Sequence, residues 1–280
     1  SIREGLNVNN NIESADFEFY MIHWADLLYK YSLHDDEGFS FDKLYNDEPY
    51  VKAVEDALKP YDEGFLSKVR AGVFDILGDA ADALKEHAGM GSFADFLIGR
   101  LLKDLDFYYE NRKIQDRAGA LGKTQDVLRQ ELLNALIPLK GRSIMLISHS
   151  MGSIIAYDAL LKLGEDVPDY ELSHFVTIGS PLGLPHVKAK IIKEQGVDKL
   201  QTPPVVTKSW KNFADKKDPV AADVFLKGDY AANAAKIEVV DDLVANDYIA
   251  PNKKKHNHHK SYGYLRTPEM SAHVADFLDT

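Results

Sequence analysis

The sequence predicts an α/β fold in which a mostly parallel central sheet is flanked by helices. Residues 144–147 form a continuous apolar run, which is typical of a parallel strand that is buried on both faces. A helical pattern over 152–163 follows at once, and strand patterns follow at 174–178 and 205–213. Because strands and helices alternate, we expect the strands to pair in parallel. A hairpin is expected further on, around Gly228.

Other elements are predicted on either side of this sheet. A helix over 124–139 has Thr124 as its expected cap, and a closing helix over 267–279 has Thr267. Residues 17–24 (FEFYMIHW) are rich in aromatic residues and strand formers. This composition predicts a short buried strand near the start of the chain.

From about residue 50 to residue 115 the pattern is helical, after a loop at residues 35–38. Apolar residues recur at helical spacing from Val69 to Leu84 and again from Phe93 to Tyr108. No strand is predicted in this region. We therefore expect a helical insertion over 36–125, in a core that is formed by 1–35 and 126–280.

The composition excludes several classes of function. The chain has 280 residues, with 33 Lys and Arg against 44 Asp and Glu, so its formal net charge is −11. Nucleic-acid binders normally carry a basic face, so a nucleic-acid partner is not expected. Because the chain has no cysteine, a disulfide scaffold, a zinc–thiolate site and a cysteine nucleophile are excluded.

The sequence also lacks membrane and secretion signals. No apolar run approaches the ~18 residues of a membrane span, so stable membrane insertion is not expected. The opening residues are polar and rich in Asn and do not resemble a signal peptide, which predicts a cytoplasmic location. Since the chain opens on Ser1 and not on Met, we expect a processed or trimmed product.

The most informative segment is IMLISHSMG, residues 144–152. A buried strand ends there and a helix begins at once, which is the context of the G-x-S-x-G nucleophile elbow. The flanking positions of that elbow must be small; Gly152 fits, and Ser148 stands where glycine is usual. The pattern predicts Ser150 as a nucleophile and places Met151 N–H at a helix N-terminus that favours negative charge. The alternative interpretation is a Ser-rich strand end without chemistry.

An acid for such a nucleophile is expected after the strand over 205–213. In chain order the acid follows the serine, and a loop at the carboxyl end of a strand reaches a histidine over the same edge. Asp218 is the favoured residue and Asp215 is the second choice. The alternative for either residue is an ordinary turn aspartate before Pro219.

The expected base lies in KKKHNHHKSY, residues 253–262, which offers His256, His258 and His259. A solvated basic loop is the alternative interpretation and is expected for two of the three. A metal site is not expected, because no paired carboxylates stand near these histidines and zinc needs a specific ligand set. His149, inside the elbow, is expected to pack or line the site and not to act as the base.

Four stretches resemble the α/β-hydrolase superfamily, and in particular its bacterial lipase-like and esterase-like members: LISHSMGSIIAYDAL, FVTIGSPLGLP, NFADKKDPVA and HHKSYGYLRTPEM. The resemblance implies an α/β-hydrolase fold in which Ser150 is the nucleophile, Asp218 the acid and His259 the base. His259 is favoured over His258 by its distance from the following Gly-Tyr-Leu.

The resemblance covers 142–280, is thin over 17–30 and does not extend over 36–125, where it implies a helical cap or lid. It implies hydrolysis of carboxylic esters through an acyl-enzyme, with Met151 N–H in the oxyanion hole and without a cofactor or metal. The expected substrate is a small-molecule or lipid-like acyl ester. Because the acidic charge disfavours anionic membranes, a soluble or small ester is favoured over bulk lipid. An amidase, a thioesterase or an acyltransferase would use the same residues.

One departure from the family concerns the second oxyanion-hole donor. Members usually carry a His-Gly segment on an early strand, and no His-Gly pair precedes Ser150. We expect that this strand lies upstream of Ser1 or that another segment supplies the N–H. Loss of the donor would lower catalysis by ~10²–10³-fold. It would favour a second interpretation, a non-catalytic binding protein with the same fold.

Overall fold

The computed structural model describes residues 1–13, 16–28, 49–53, 92–110, 112–251 and 256–279. In these ranges the strands are β1 (Lys113–Gln115), β2 (Leu121–Lys123), β3 (Met145–His149), β4 (Leu172–Ile178), β5 (Leu200–Gln201), β6 (Val206–Ala214), β7 (Tyr230–Ala231) and β8 (Val239–Leu243). The helices are α1 (Ile2–Asn10), α2 (Ala25–Leu28), α3 (Ser92–Tyr109), α4 (Thr124–Leu136), α5 (Met151–Asp166), α6 (Pro185–Gln195), α7 (Ser261–Tyr264) and α8 (Pro268–Leu278).

The central sheet has the strand order β3-β4-β6-β8, and each neighbouring pair is parallel. Phe175 and Val176, which are adjacent in β4, point to opposite faces and join two different clusters of buried side chains. The cluster around Phe175 and Trp210 includes residues of α3, α4, α5 and α6. The cluster around Val176 and Phe213 includes residues of α1 and α8. The protein is therefore an α/β protein whose parallel sheet is flanked by helices, as predicted.

Most elements over 124–280 confirm their predictions. The runs at 144–147, 174–178 and 205–213 are β3, β4 and β6, and the helical pattern that follows the first run is α5. The closing helix is α8, and its predicted cap is confirmed because Thr267 Oγ1 accepts a hydrogen bond from Met270 N–H. These elements were predictable since each has a local pattern of its own.

The strand prediction for 17–24 is wrong. This segment has no strand pairing within the described residues, and the side chains of Phe19, Tyr20 and Met21 are 57%, 60% and 76% exposed. Aromatic strand formers favour a strand only where a neighbouring strand and a buried face are present. Here the segment contributes Ile22 and Trp24 to the edge of one core cluster and Phe17 to the edge of the other.

A small hairpin lies where no strand was predicted. β1 pairs antiparallel with β2, and the turn between them is closed by Asp116, whose Oδ1 accepts hydrogen bonds from Ala118 N–H and Ala120 N–H. Strands of three residues with exposed polar ends carry no alternation long enough to recognise. The hairpin instead forms through its turn chemistry.

Two local predictions are also corrected. No hairpin forms around Gly228, because β7 pairs in parallel with β5 and β8 pairs in parallel with β6. Thr124 is not a cap but the first residue of α4, and its Oγ1 donates to the carbonyl oxygen of Arg112 at 2.9 Å.

The predicted insertion is only partly described. Its residues 36–48 and 54–91, including the pattern from Val69 to Leu84, lie outside the described residues. The second pattern is helical as predicted and forms α3, whose Leu105 and Tyr108 are buried in the same cluster as α5. That these helices form a cap or lid remains a prediction. Among the helices of the described ranges, none has the length and apolarity needed to cross a membrane.

Candidate active site

Ser150 lies on the sharp turn between β3 and α5. Its φ of 54° and ψ of −133° place it in a region that a non-glycine residue rarely adopts. The turn is fixed from both sides: Ser150 N–H donates to the carbonyl of Ile178, and Ser150 O accepts from Ser153 N–H and Ser153 Oγ. The strand-to-helix turn that the sequence predicted is therefore present, with the backbone strain that such an elbow requires.

The two small residues of the elbow play different parts. Ser148 is buried, and its Oγ donates to the carbonyl oxygen of Val176 at 3.1 Å, so the serine replaces glycine without an unpaired hydroxyl. A methyl group on Gly152 would meet Trp24 Nε1 at 3.5 Å, which is ordinary contact. The expectation that residue 152 must be small therefore has no close contact behind it among the described residues.

Met151 begins α5, a helix of 16 residues. The first N–H groups of a helix have no acceptor within the helix, and the helix dipole favours negative charge beside them. Met151 is buried at this position. The predicted position of Met151 at a helix N-terminus is therefore present, whereas its role as an oxyanion-hole donor stays a prediction.

The structure brings Ser150, His259 and Asp218 together. His259 Nε2 lies 3.0 Å from Ser150 Oγ, and His259 Nδ1 lies 2.9 Å from both carboxylate oxygens of Asp218. A carboxylate only accepts hydrogen bonds, so Nδ1 carries the proton and Nε2 is left to accept from the serine hydroxyl. Of the three candidate histidines, the favoured His259 is the one that contacts Ser150, and of the two candidate acids, the favoured Asp218 is the one that contacts His259.

Asp218 is completely buried and receives several donors. Its Oδ1 accepts from Val220 N–H at 2.9 Å, and its Oδ2 accepts from Tyr264 OH at 2.8 Å. Burial alone would raise the pKa of Asp218, but the neighbouring His259 and these hydrogen bonds outweigh it and lower that pKa. The carboxylate therefore stays ionised and can orient and stabilise the imidazole.

Glycine is required at residue 179, directly after β4. Gly179 has a φ of 52°, and a methyl group there would lie 2.8 Å from Asp218 Oδ2 and 3.1 Å from a ring carbon of Tyr264. Ser150, Gly179 and Asp218 each follow the carboxyl end of a strand of the parallel sheet. This edge is where α/β proteins commonly bind their ligands.

The remaining candidates form a second contact beside the first. His258 Nδ1 lies 3.0 Å from Asp215 Oδ2, and the ring of His256 stacks on that of His258 at 5.3 Å. Neither Asp215 nor His258 is the partner of Ser150. His149 packs beside His259, as expected, with ring centroids 4.6 Å apart, and burial lowers the pKa of His149 to about 3.

Sequence reasoning missed three contacts of this site. Tyr264 had served only as a landmark for the choice of His259, although its hydroxyl bonds to Asp218. His149 donates from Nε2 to the carbonyl oxygen of His259 at 2.7 Å, and Asn246 contacts the same loop. Nothing in the local pattern identifies these residues, because each is brought to the site by the packing of distant segments. Within the described residues, no three His, Asp or Glu side chains are grouped as metal ligands.

Comparisons with protein-family models, with curated proteins and with solved structures found no match to this chain. The class of the protein is thus defined by its own fold and site: it is an α/β protein with a Ser–His–Asp arrangement at the carboxyl edge of a parallel sheet.

Proposed function

We propose that this protein is a serine hydrolase of the α/β-hydrolase superfamily that cleaves carboxylic esters through an acyl-enzyme on Ser150. One observation carries the proposal: Ser150 Oγ, the imidazole of His259 and the carboxylate of Asp218 form a continuous hydrogen-bonded chain, with links of 3.0 Å and 2.9 Å. The strained turn that presents Ser150, and the order Ser, Asp, His along the chain, support it.

The geometry suits acyl transfer in two steps. His259 Nε2 accepts the proton of Ser150 as Oγ attacks the acyl carbonyl carbon, and Met151 N–H donates to the oxyanion. The imidazolium then gives that proton to the leaving alkoxide, and the C–O bond of the ester breaks. Water, deprotonated by the same imidazole, attacks the acyl-enzyme and releases the acid and free Ser150. Asp218 holds the tautomer and stabilises the positive charge of the imidazolium.

A non-catalytic binding protein is the second candidate. The absence of a His-Gly pair before Ser150 favours it, because that segment usually supplies the second oxyanion-hole N–H. An amidase, a thioesterase or an acyltransferase would use the same three side chains. Ester, amide and thioester substrates of one acyl group separate these activities.

The test is hydrolysis of p-nitrophenyl esters of increasing acyl length, together with labelling by a fluorophosphonate probe. We expect the wild type to hydrolyse esters and to be labelled. Ser150→Ala should lose the label and at least ~10³-fold in kcat. In a serine–histidine–aspartate triad, removal of the nucleophile costs about as much rate as removal of all three side chains. The acyl length with the highest kcat/KM measures the size of the acyl site.

Ser209→Ala is the matched control. Ser209 is a half-buried serine of β6, and its Oγ contacts His174 at 2.7 Å, away from Ser150. This variant should keep both activity and labelling. If the wild type is neither active nor labelled, the binding protein replaces the hydrolase as the proposal. Equal activity of Ser150→Ala and the wild type would reject Ser150 as the nucleophile.

A further inference from the structure

Three successive carbonyl groups around His259 each accept a hydrogen bond from a side chain of another segment. Asn246 Nδ2 donates to the carbonyl oxygens of His258 and Lys260, at 2.8 Å and 2.9 Å. His149 Nε2 donates to the carbonyl oxygen of His259 itself, at 2.7 Å. The backbone that carries the imidazole is therefore held before, at and after this residue. We call these three hydrogen bonds the carbonyl clamp.

The amide of Asn246 is fixed in one orientation. Asn246 lies just past β8 and is buried, and its Oδ1 accepts from Tyr248 N–H at 3.1 Å. Rotation of the amide by 180° would point an oxygen at two carbonyl oxygens and leave the Tyr248 N–H without its acceptor. A methyl group on Gly263 would collide with Asn246 Oδ1, so the next helix approaches this amide as closely as glycine allows.

Asp215 supports the clamp from the end of β6. Its Oδ2 accepts from the backbone N–H of Asn246 at 2.8 Å and contacts His258 Nδ1 at 3.0 Å. Its Oδ1 accepts from Lys217 N–H. Asp215 thus links the segment that follows β6 to Asn246 and to His258. The residue that the sequence offered as the second choice for the acid therefore supports the structure beside the site.

His149 connects the clamp to the nucleophile. It is the last residue of β3 and directly precedes Ser150. Because its Nε2 faces a carbonyl oxygen, the proton of the neutral ring lies on Nε2. Burial and the nearby His259 keep the pKa of His149 low, at about 3, so this tautomer persists across the neutral range. The strand that carries Ser150 and the loop that carries His259 are therefore held together directly.

We propose that Asn246 and His149 are positioning residues that set the distance between His259 and Ser150; the inference rests on the proposed hydrolase function. His259 lies outside any helix or strand, between an isolated bridge at His256 and α7. A shift of about 1 Å in a catalytic group costs roughly 10²-fold in rate. The clamp acts on the backbone and not on the substrate, so its loss lowers kcat and leaves KM nearly unchanged.

The test compares Asn246→Asp with Asn233→Asp. Asn233 is also buried and bonds in the same way: its Nδ2 donates to the carbonyls of Pro203 and Val206, and its Oδ1 accepts from Ile237 N–H. Each substitution replaces two amide donors by a carboxylate oxygen that faces two carbonyl oxygens. Both variants should lose stability to a similar extent, as measured by urea unfolding.

Only Asn246→Asp should lose rate. We expect kcat on a p-nitrophenyl ester to fall roughly 10–100-fold, with KM within about twofold of the wild type. Asn233→Asp should keep both parameters. If kcat of Asn246→Asp lies within twofold of Asn233→Asp, or if KM rises while kcat is kept, the inference is wrong although the hydrolase stands. An inactive, unlabelled wild type rejects the hydrolase itself.

A second pair of variants covers the case in which Asn246→Asp does not fold. His149→Gln keeps an amide N–H at about the reach of Nε2, and His149→Leu removes the donor. A positioning role predicts that kcat of His149→Gln exceeds that of His149→Leu several-fold, at similar melting temperatures. Equal kcat values in two folded variants would show that the ring only packs, which would overturn the part that we assign to His149.

Discussion

Tyr264 connects the two aspartates that follow β6. Its hydroxyl donates to Asp218 Oδ2 at 2.8 Å and accepts from the backbone N–H of Asp215 at 3.0 Å, and the residue is completely buried. Burial, strengthened by the charge of Asp218, raises the pKa of Tyr264, so the hydroxyl keeps its proton and remains a donor. The tyrosine therefore fixes the carboxylate that contacts the imidazole of His259.

Removal of this hydroxyl should weaken the fold as well as the site. In Tyr264→Phe the Asp215 N–H and Asp218 Oδ2 both lose a partner in a buried place, which costs about 1–3 kcal/mol of unfolding free energy. The loss of the hydrogen bond also raises the pKa of Asp218. The loss of unfolding free energy should therefore be complete above about pH 3.8, where Asp218 of the unfolded chain is ionised, and should shrink as the pH falls below that value through the lowered pKa of the folded residue. Urea unfolding at pH 7 and pH 3 measures both effects.

Tyr262→Phe is the control for that experiment. Tyr262 lies two residues earlier and is half-buried, so its substitution removes a hydroxyl from the same helix but not from Asp218. We expect its unfolding free energy to stay within about 0.5 kcal/mol of the wild type. Equal losses in the two variants would mean that Tyr264 contributes nothing specific to Asp218.

Residues that act through a motif were predictable, and residues that act through packing were not. Ser150 and Asp218 could be proposed because a strand pattern ends just before each of them, and the base was narrowed to one short histidine-rich segment. Asn246 and Tyr264 carry no such pattern. Asn246 reaches the site because β8 pairs beside β6, and Tyr264 because α7 packs against the segment that follows β6.

At the scale of elements, the position of the candidate site is determined by the carboxyl ends of the parallel strands. Strands β3, β4 and β6 were predictable from their local sequence patterns, and their parallel pairing places their carboxyl ends at one edge. Segment 17–24 is also rich in strand-forming residues but has no pairing in the described part of the chain, so its composition gave a wrong prediction. The true strands differ from segment 17–24 in their pairing with distant strands, and a local sequence pattern does not contain this information.

The turn after β4 provides a test at this scale. In Gly179→Ala the methyl group would push against Asp218 Oδ2, and the left-handed φ of 52° adds strain. Gly119→Ala is the control, since its φ is 83° and nothing lies within 4 Å of the added methyl group. Both should lose about 1–2 kcal/mol of stability from the left-handed backbone. Only Gly179→Ala should also lose at least ~10-fold in kcat.

The measurement is kcat on a p-nitrophenyl ester beside the melting temperature of each variant. A Gly179→Ala protein that melts like Gly119→Ala and keeps full kcat would show that the acid tolerates displacement. Greater thermal loss in Gly179→Ala with an unchanged kcat would place the effect of the collision in folding and not in the chemistry.

At the scale of the whole molecule, buried titratable groups pull stability in opposite directions as the pH falls. Burial lowers the pKa of His273 from 6.5 to about 4, and burial raises the pKa of Asp158 from 3.8 to about 6. The His273 Nε2 has no hydrogen-bond partner among the described residues, whereas Asp158 Oδ2 accepts from Tyr108 OH at 2.9 Å. The acid response of the fold is the sum of such terms.

The signs follow from linkage between protonation and folding. Unfolded His273 binds a proton near pH 6.5 but the folded residue only near pH 4, so its contribution to stability is complete above 6.5 and is lost between these values. Folded Asp158 binds a proton near pH 6 and the unfolded residue only near 3.8. The cost of burying its charge is therefore largest at neutral pH and is relieved as the pH falls through this window.

Two substitutions separate these opposite effects. His273→Phe keeps a ring beside His174 and Phe213 but does not titrate, so it should raise the melting temperature relative to the wild type at pH 5 more than at pH 8. Asp158→Asn keeps an oxygen acceptor for Tyr108 without charge, so its gain over the wild type should be larger at pH 8 than at pH 5. Melting curves of the three proteins at both pH values decide the matter. If both variants shift in parallel with the wild type, neither group titrates differently on folding, and the acid response must come from other titratable groups, such as the buried carboxylate of Asp218.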